Sequence, residues 1–478
     1  MKSVLNQWCK NTTCHGVSDV INSKSWSGKL LWISLIFFSL TMMSYQLFSL
    51  FDTFSSSKKW TTTIYEERTK GGLEFPTVTV CDFNRLRRSK VKKYNLTDEL
   101  IQFLFYTNGI RYTISRIPTE QERDAFARWR KQHKMSYKRI FELMGSTCEE
   151  TFRHANMRNF RSVTPCSVPW LNITPVFTIE YGMCYQVRLN YYRKITLSGS
   201  SWGLSLVLNL RLAEYLSVLV NNYNDEGFAL QLNYGDGVEF GTWVALSPGL
   251  HSWVAMTSTY VTTKKSRLNL FAPPCLASPK LKVLPGHFSR KQCEFDCIMA
   301  EVVNACQCAY RIVTPSYPTC DMDVYDTCNE NTNMSQIREC RKRCLDPCRE
   351  QRITASVSYS RAVSRAQIPR FRSYVQDSND RNMSDDELRK QFMTVDIYYD
   401  TVASTVIERH EMTTLYQIIS NIGGQLGLWA GMSVFTIYQT LIYAFHATLA
   451  YAYGERHRHK SARSSAYRES LNAHDVGF

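Results

Sequence analysis

The fold is decided by Leu415-Tyr416-Gln417-Ile418-Ile419-Ser420-Asn421-Ile422-Gly423-Gly424-Gln425-Leu426-Gly427-Leu428-Trp429-Ala430-Gly431-Met432-Ser433, which continues as Val434-Phe435-Thr436-Ile437-Tyr438-Gln439. Over 413–453, forty-one positions, there is no Asp, Glu, Lys or Arg, which is ample for crossing a bilayer. Four glycines, three glutamines and several hydroxyls interrupt the run. Such groups are tolerated at membrane depth only against protein or a water-filled cavity. Two readings are open. One is a packing helix whose small residues let neighbours approach. The other is a pore lining, in which Gly431 and Ser433 offer a carbonyl and a hydroxyl to a dehydrating ion.

A first apolar run occupies 30–51, twenty-two residues without an acid or a base. It exceeds a usual signal-peptide core and lacks a clean small-residue cleavage site, so a membrane helix is expected. Lys2, Lys10, Lys24 and Lys29 precede it, and Arg456, Arg458, Lys460 and Arg463 follow the second run. Basic residues outside both runs place both termini in the cytoplasm of a multi-pass plasma-membrane protein. Residues 52–411 are then extracellular, with 1–29 and 454–478 as cytoplasmic ends and 412–453 as the second span. Glycosylation acceptors at Asn95, Asn172, Asn333 and Asn382 suit that placement. Asn11 also matches but would face the cytoplasm.

The formal charge of +15 is spread along the chain. It forms no nucleic-acid stripe, and no nucleic-acid partner is expected. No phosphate loop, hydrolase elbow or zinc-protease motif occurs, so neither an enzyme nor a cofactor is expected. Of sixteen cysteines, Cys9 and Cys14 precede the first run and the other fourteen fall between Cys81 and Cys348. An even number there indicates an oxidised extracellular framework. A zinc site from Cys9, Cys14 and His15 lacks a fourth ligand at sensible spacing.

Within the extracellular region, Phe75-Pro76-Thr77-Val78-Thr79-Val80-Cys81 alternates as a strand and is followed by Asp82-Phe83-Asn84-Arg85. Thr97 is predicted to cap a helix over 98–107, and Thr119-x-x-Glu122 to open a helix reaching residue 144. Strands are predicted over 204–212, 228–234, 238–256 around Ser247-Pro248-Gly249, and 391–400. Ser289-x-x-Gln292 opens a helix with Cys293 and Cys297 on one face, and Cys340 and Cys344 repeat that spacing. Opposed faces would bridge Cys293 to Cys344 and Cys297 to Cys340, although spacing alone does not fix connectivity.

The Gly-Gly-Gln-Leu-Gly-Leu stretch with Gly431-Met432-Ser433, the strand from Phe75 to Cys81, and His15-Gly16 before the first run resemble the epithelial sodium channel/degenerin/acid-sensing channel superfamily. The resemblance covers both spans and nearly the whole extracellular region. It implies an α+β membrane protein with two transmembrane helices and a large disulfide-rich extracellular domain. That domain would have a β-sheet palm, a helical finger and a thumb at about 275–348. It implies Gly431, Met432 and Ser433 as selectivity filter, His15 and Gly16 as the cytoplasmic pore motif, and Ser420, Asn421, Gly424, Gly427 and Gln439 along pore and gate. It also implies seven bridges: Cys81–Cys184, Cys148–Cys166, Cys275–Cys348, Cys293–Cys344, Cys297–Cys340, Cys306–Cys328 and Cys308–Cys320.

Two helices cannot enclose a pore, so oligomerisation is expected, and three is the family's number. The implied function is a trimeric, amiloride-sensitive sodium channel in membrane lipid. It would form homo- or heterotrimers with sibling subunits and open to an extracellular ligand, a neuropeptide or a proton. Constitutive opening, and a non-conducting disulfide-braced receptor, are the alternatives. The chain departs from the pattern where relatives place pore carboxylates: Asn421, Gln439 and Ile442 are neutral, and Met432 is large. Glu408 and Glu411 are then the candidates to concentrate cations at the outer mouth. Proton-gated relatives carry histidine after the first span, where this chain has Tyr65-Glu66-Glu67-Arg68-Thr69.

Overall fold

The computed structural model describes residues 8–55, 60–68, 71–107, 119–158, 160–178, 180–191, 193–216, 225–234, 242–264, 275–277, 280–284, 288–310, 316–320, 328, 331–374, 383–411 and 415–449. Asn382, the end of the second run and the tail lie outside them. The chain forms two compact units: Thr62–Lys264 with Pro273–Arg409, and Met1–Thr61 with Lys265–Ala272 and His410–Phe478.

The larger unit is built on two large sheets, with two small two-stranded ones. Its strands are β1 (Trp60–Arg68), β2 (Leu73–Glu74), β3 (Thr77–Asp82), β4 (Phe152–Met157), β5 (Phe160–Ser162), β6 (Leu171–Thr178), β7 (Gly182–Leu189) and β8 (Lys194–Ile195). They continue as β9 (Leu204–Asn209), β10 (Phe228–Asn233), β11 (Thr242–Leu246), β12 (Leu250–Thr263), β13 (Cys275–Leu276), β14 (Asp346–Pro347), β15 (Arg349–Arg361) and β16 (Phe392–Glu411). One large sheet runs β15-β12-β16-β9-β4-β5, with β1 also pairing β16; the other runs β11-β10-β3-β7-β6, and β2–β8 and β13–β14 are the two small ones. β12 pairs antiparallel with β15 and parallel with β16, the latter register shifting between Met256 and Ser258.

Val78, Val80, Val187 and Leu230 of the five-stranded sheet share one buried core with Leu206, Val254, Val395 and Ile397 of the seven-stranded sheet. Each such side chain contributes about 1.5–3 kcal/mol on burial. β3 forms the strand expected from its alternation and lies between β10 and β7, and Thr79, on the face opposite Val78 and Val80, is 1% exposed as well. At its end, the Asp82 carboxylate accepts from Arg87 (2.9 Å), Ser146 (2.9 Å) and the Asn84 N–H (2.8 Å). Burial pushes Asp82 upward in pKa, opposed by the Arg87 guanidinium.

Helices Asp98–Thr107, Glu120–His133 and Tyr137–Met144 form a second core with Arg290–Cys306, through Ile101, Phe126, Ile140, Phe141, Met299 and Val302. The helix predicted to reach 144 in one piece is two. Lys134 turns left-handed (φ 50°) to end the first, and Ser136 caps the second. Ser289 caps Arg290–Cys306 as expected, whereas Cys344 lies just beyond helix Met334–Lys342. All fourteen cysteines between Cys81 and Cys348 are bridged: Cys81–Cys184, Cys148–Cys166, Cys275–Cys348, Cys293–Cys344, Cys297–Cys340, Cys306–Cys328 and Cys308–Cys320. Cys9 and Cys14 carry free thiols.

In the smaller unit, Trp26–Asp52 is a 27-residue stretch of helix long and apolar enough to cross a membrane. The second run is not one straight helix. Leu415–Ala430 and Val434–Leu449 meet at a bend of 73° and pass the same test only as a pair.

Candidate pore segment and its supports

The bend is written in three residues. Gly431 takes a left-handed conformation (φ 63°) with its N–H donating to Gly427 O at 3.1 Å, the usual glycine ending of a helix. Ser433 then opens the next half-helix: its Oγ accepts from the Thr436 N–H (3.4 Å), while Thr436 Oγ1 accepts from the Ser433 N–H (3.0 Å). This is the reciprocal logic of a capping box. Met432 between them is half-buried. Gly-Met-Ser therefore breaks the helical ladder where an ion could meet backbone groups.

The amino-terminal segment closes on this break. The His15 N–H donates to the Ala430 carbonyl at 3.0 Å, satisfying one of the acceptors a helix end leaves open. The imidazole packs against Gly431 so closely that a Cβ there would fall 2.6 Å from Nε2. Gly16 is left-handed too (φ 75°), and a Cβ on it would lie 2.9 Å from Ile36 Cγ1 of the first helix. Each half of the His-Gly pair thus has its own steric reason. Trp8 Nε1 donates to Thr440 Oγ1 (3.3 Å), Asn11 Nδ2 to Tyr443 Oη (3.4 Å), and Gln439 Nε2 to the Asn11 carbonyl (3.0 Å). Thr13 and Thr436 share a hydrogen bond through their hydroxyls.

On half-helix Leu415–Ala430, Ser420 and Asn421 are exposed, and a Cβ on Gly424 would meet nothing. Ser420, Gly424, Gly427 and Gly431 stand at i, i+4, i+7 and i+11, so they share one face. On another, the Trp429 indole N–H reaches Gln46 Oε1 (2.9 Å) of the first helix and Gln425 Oε1 (3.1 Å), with Phe38 edge-on at 6.3 Å. The sequence carried no signal for this pairing of Gln46 with Trp429. Nor did it reveal that the polar stripe Thr436, Gln439, Thr440, Tyr443 is covered by residues 8–13, although its helical spacing is plain.

In the larger unit, Glu408 is not a bare carboxylate. It pairs with Lys264 Nζ at 2.7 Å and accepts from Tyr65 Oη at 3.0 Å. Glu411 ends β16. Asn95 and Asn172 are exposed, the latter on edge strand β6. Asn333 is exposed and caps helix Met334–Lys342 through Oδ1, leaving Nδ2 for a glycan.

A family model described as amiloride-sensitive sodium channel matches residues 8–443. The Bile acid-sensitive ion channel of Homo sapiens is 23% identical over 458 residues, covering 91% of this chain and 84% of its own. Acid-sensing ion channel 4-B of Danio rerio is 24% identical, covering 92% of this chain and 75% of its own. Acid-sensing ion channel 1 of Gallus gallus is 24% identical, covering 92% and 83%. A solved proton-activated chloride channel aligns with 87% of this chain and 98% of its own at a TM-score of 0.32 and 6% identity, too low to bear on the fold. With the family match spanning the broken apolar run, the bridged β-rich unit and the His-Gly segment alike, the chain belongs to the amiloride-sensitive sodium channel family and is an ion channel, not an enzyme.

Proposed function

We propose that this chain is a pore-forming subunit of a trimeric, sodium-permeable channel of the plasma membrane, opened by an extracellular ligand. The observation that carries this reading is the interruption of the second apolar run at Gly431-Met432-Ser433, braced by His15. A helix broken at membrane depth leaves backbone groups that only protein or water can satisfy, and a conduction path supplies the water. Large exposed side chains on both helices, among them Phe37, Phe48, Leu428 and Phe435, fit contact with lipid and neighbouring subunits. Residues 30–51 and 412–453 are the two spans, 52–411 the extracellular domain, and 1–29 and 454–478 the cytoplasmic ends. Ser420, Gly424 and Gly427 form the face turned to the axis, with Gly431 to Ser433 as the filter.

The ligand class is drawn from the relatives, named for acid and bile acid, together with the peptide expected from the sequence. A heteromer is favoured by one observation: Asn421, Gln439 and Ile442 leave this chain's pore without carboxylates, so sibling subunits would supply the acidic ring. The test is expression in oocytes alone and with sibling subunits, recording current under acid, bile acid and amidated peptides with and without amiloride. Amiloride-sensitive sodium current in either arrangement supports the proposal. Surface-expressed protein without current in any arrangement, under any ligand, overturns it.

A further inference from the structure

We infer that Gln439 is a positioning residue that holds the amino-terminal segment against the second half-helix, and that it is neutral because that duty requires a donor. Five contacts join the two: Trp8 to Thr440, Asn11 to Tyr443, Gln439 to Asn11, Thr13 to Thr436, and His15 to Ala430. From Asn11 through Thr13 to His15 the numbers rise in the amino-terminal segment while their partners fall along the second run, from Tyr443 and Gln439 through Thr436 to Ala430, and Trp8 adds a contact to Thr440 within the same stretch. The receiving side chains Thr436, Gln439, Thr440 and Tyr443 stand at i, i+3, i+4 and i+7, one face of Val434–Leu449. A polar stripe that would otherwise be a bare wall is therefore occupied by the chain's own residues 8–13.

Gln439 is the centre of this ladder, and its partner settles the chemistry. The Asn11 carbonyl is an acceptor, so the group facing it at 3.0 Å must donate. A carboxamide has N–H donors, whereas an ionised carboxylate accepts only. Glutamate at 439 would set two acceptors face to face and remove the central rung. The absence of a pore carboxylate here follows from the segment that covers the position. The inference deepens the pore reading but stands on contacts within one chain.

The test reads thiols rather than current. Cys9 and Cys14 flank the rungs and are the chain's two free cysteines. In purified full-length protein in micelles, their modification by a maleimide is followed by peptide mass spectrometry. Gln439→Glu and Gln439→Leu should label about five-fold faster than the parent, the loss of one hydrogen bond of ordinary strength. Gln439→Lys, which keeps a donor, should label within about two-fold of the parent on the same reasoning. Tyr443→Phe, which adds no charge and removes the acceptor of Asn11 Nδ2, gives the same readout should Gln439→Glu fail to fold, and should also label faster. Equal labelling of Gln439→Glu and the parent, or of Tyr443→Phe and the parent, overturns the inference; so does Gln439→Lys labelling as fast as Gln439→Glu. If the pore reading fails, no variant conducts, yet the labelling contrast persists. If Gln439 is instead a bare pore group, Gln439→Glu changes sodium current while labelling stays put.

Discussion

His15 and Gly431 are in direct contact: the imidazole lies where a Cβ on Gly431 would have to be, and the His15 N–H holds the carbonyl of Ala430 next door. An amino-terminal pair and the glycine at the break of the second run, more than four hundred positions apart, thus form one packing unit. The break in the second run is held from outside its own helix.

Gly431→Ala therefore faces two costs, the steric clash with His15 and the left-handed backbone at φ 63°. The second alone is about 1–2 kcal/mol for a residue with a Cβ. Removing the ring with His15→Ala should restore space without restoring the backbone. We expect Gly431→Ala to abolish or distort permeation, and the double variant to recover it only in part. Reversal potentials in sodium against potassium check both outcomes. Full recovery in the double variant would mean that the backbone conformation is of no consequence.

Trp429 sets a second expectation. Its N–H serves Gln46 and Gln425 together. Polar pairs between membrane helices couple by about 0.6 kcal/mol on average and at most about 1.7. Trp429→Phe should cost that order of stability. Gln46→Leu in the Trp429→Phe background should then cost little more, because its acceptor has already lost the donor. Thermal unfolding in micelles of the two single variants and the double variant measures the coupling, and strict additivity would contradict it.

The bridged framework predicts a thiol count. Denatured, unreduced protein should expose two reactive cysteines, Cys9 and Cys14. The Cys81–Cys184 bridge joins residues 103 apart across adjacent strands β3 and β7. Removing a native disulfide typically costs about 2–5 kcal/mol. Cys81→Ser with Cys184→Ser should thus reduce surface expression more than exchanging the two free cysteines, as surface biotinylation would show.

His154 on β4 gives a pH dependence with a definite sign. Burial, then the nearby Arg370 cation, push its pKa below the ordinary histidine value. The folded protein therefore binds fewer protons here than the unfolded chain. The stabilising contribution is complete above the unfolded value of about 6.5 and is lost as pH falls from there through the lowered folded value. His154→Gln should flatten the fall in melting temperature between about pH 7 and 5. A parent and variant with parallel pH profiles would rule the contribution out.

Much of this was legible because local chemistry and tertiary role coincide. The Thr119 capping box and the Ser289 cap are written in neighbouring residues, and each forms. The cysteine pairs follow the resemblance. What could not be read is which polar groups meet across long separations. Gln46 with Trp429, Asn11 with Gln439 and Lys264 with Glu408 leave no periodic trace. Each such pair is set by packing of distant segments, which one chain's spacing does not encode.

The Lys264–Glu408 pair changes what Glu408 is expected to do at an outer mouth. From sequence it counts as a negative charge available to cations. In the structure an ammonium sits 2.7 Å from its carboxylate, and the Tyr65 hydroxyl donates at 3.0 Å. The pairing with Glu408 raises the pKa of Lys264, so the ammonium stays charged throughout the physiological range. Cation and anion cancel at distances beyond a few ångströms, and a passing sodium ion sees a small dipole rather than a charge. Glu408→Gln leaves an unbalanced lysine at an exposed site and should lower sodium conductance at low ionic strength. Lys264→Gln should act in the opposite direction. It frees the carboxylate and should raise sodium conductance at low ionic strength, an effect that shrinks as salt is added. Conductance at two salt concentrations for both variants decides the matter. An increase from Lys264→Gln that is independent of salt, or none at all, would remove Glu408 from the outer mouth.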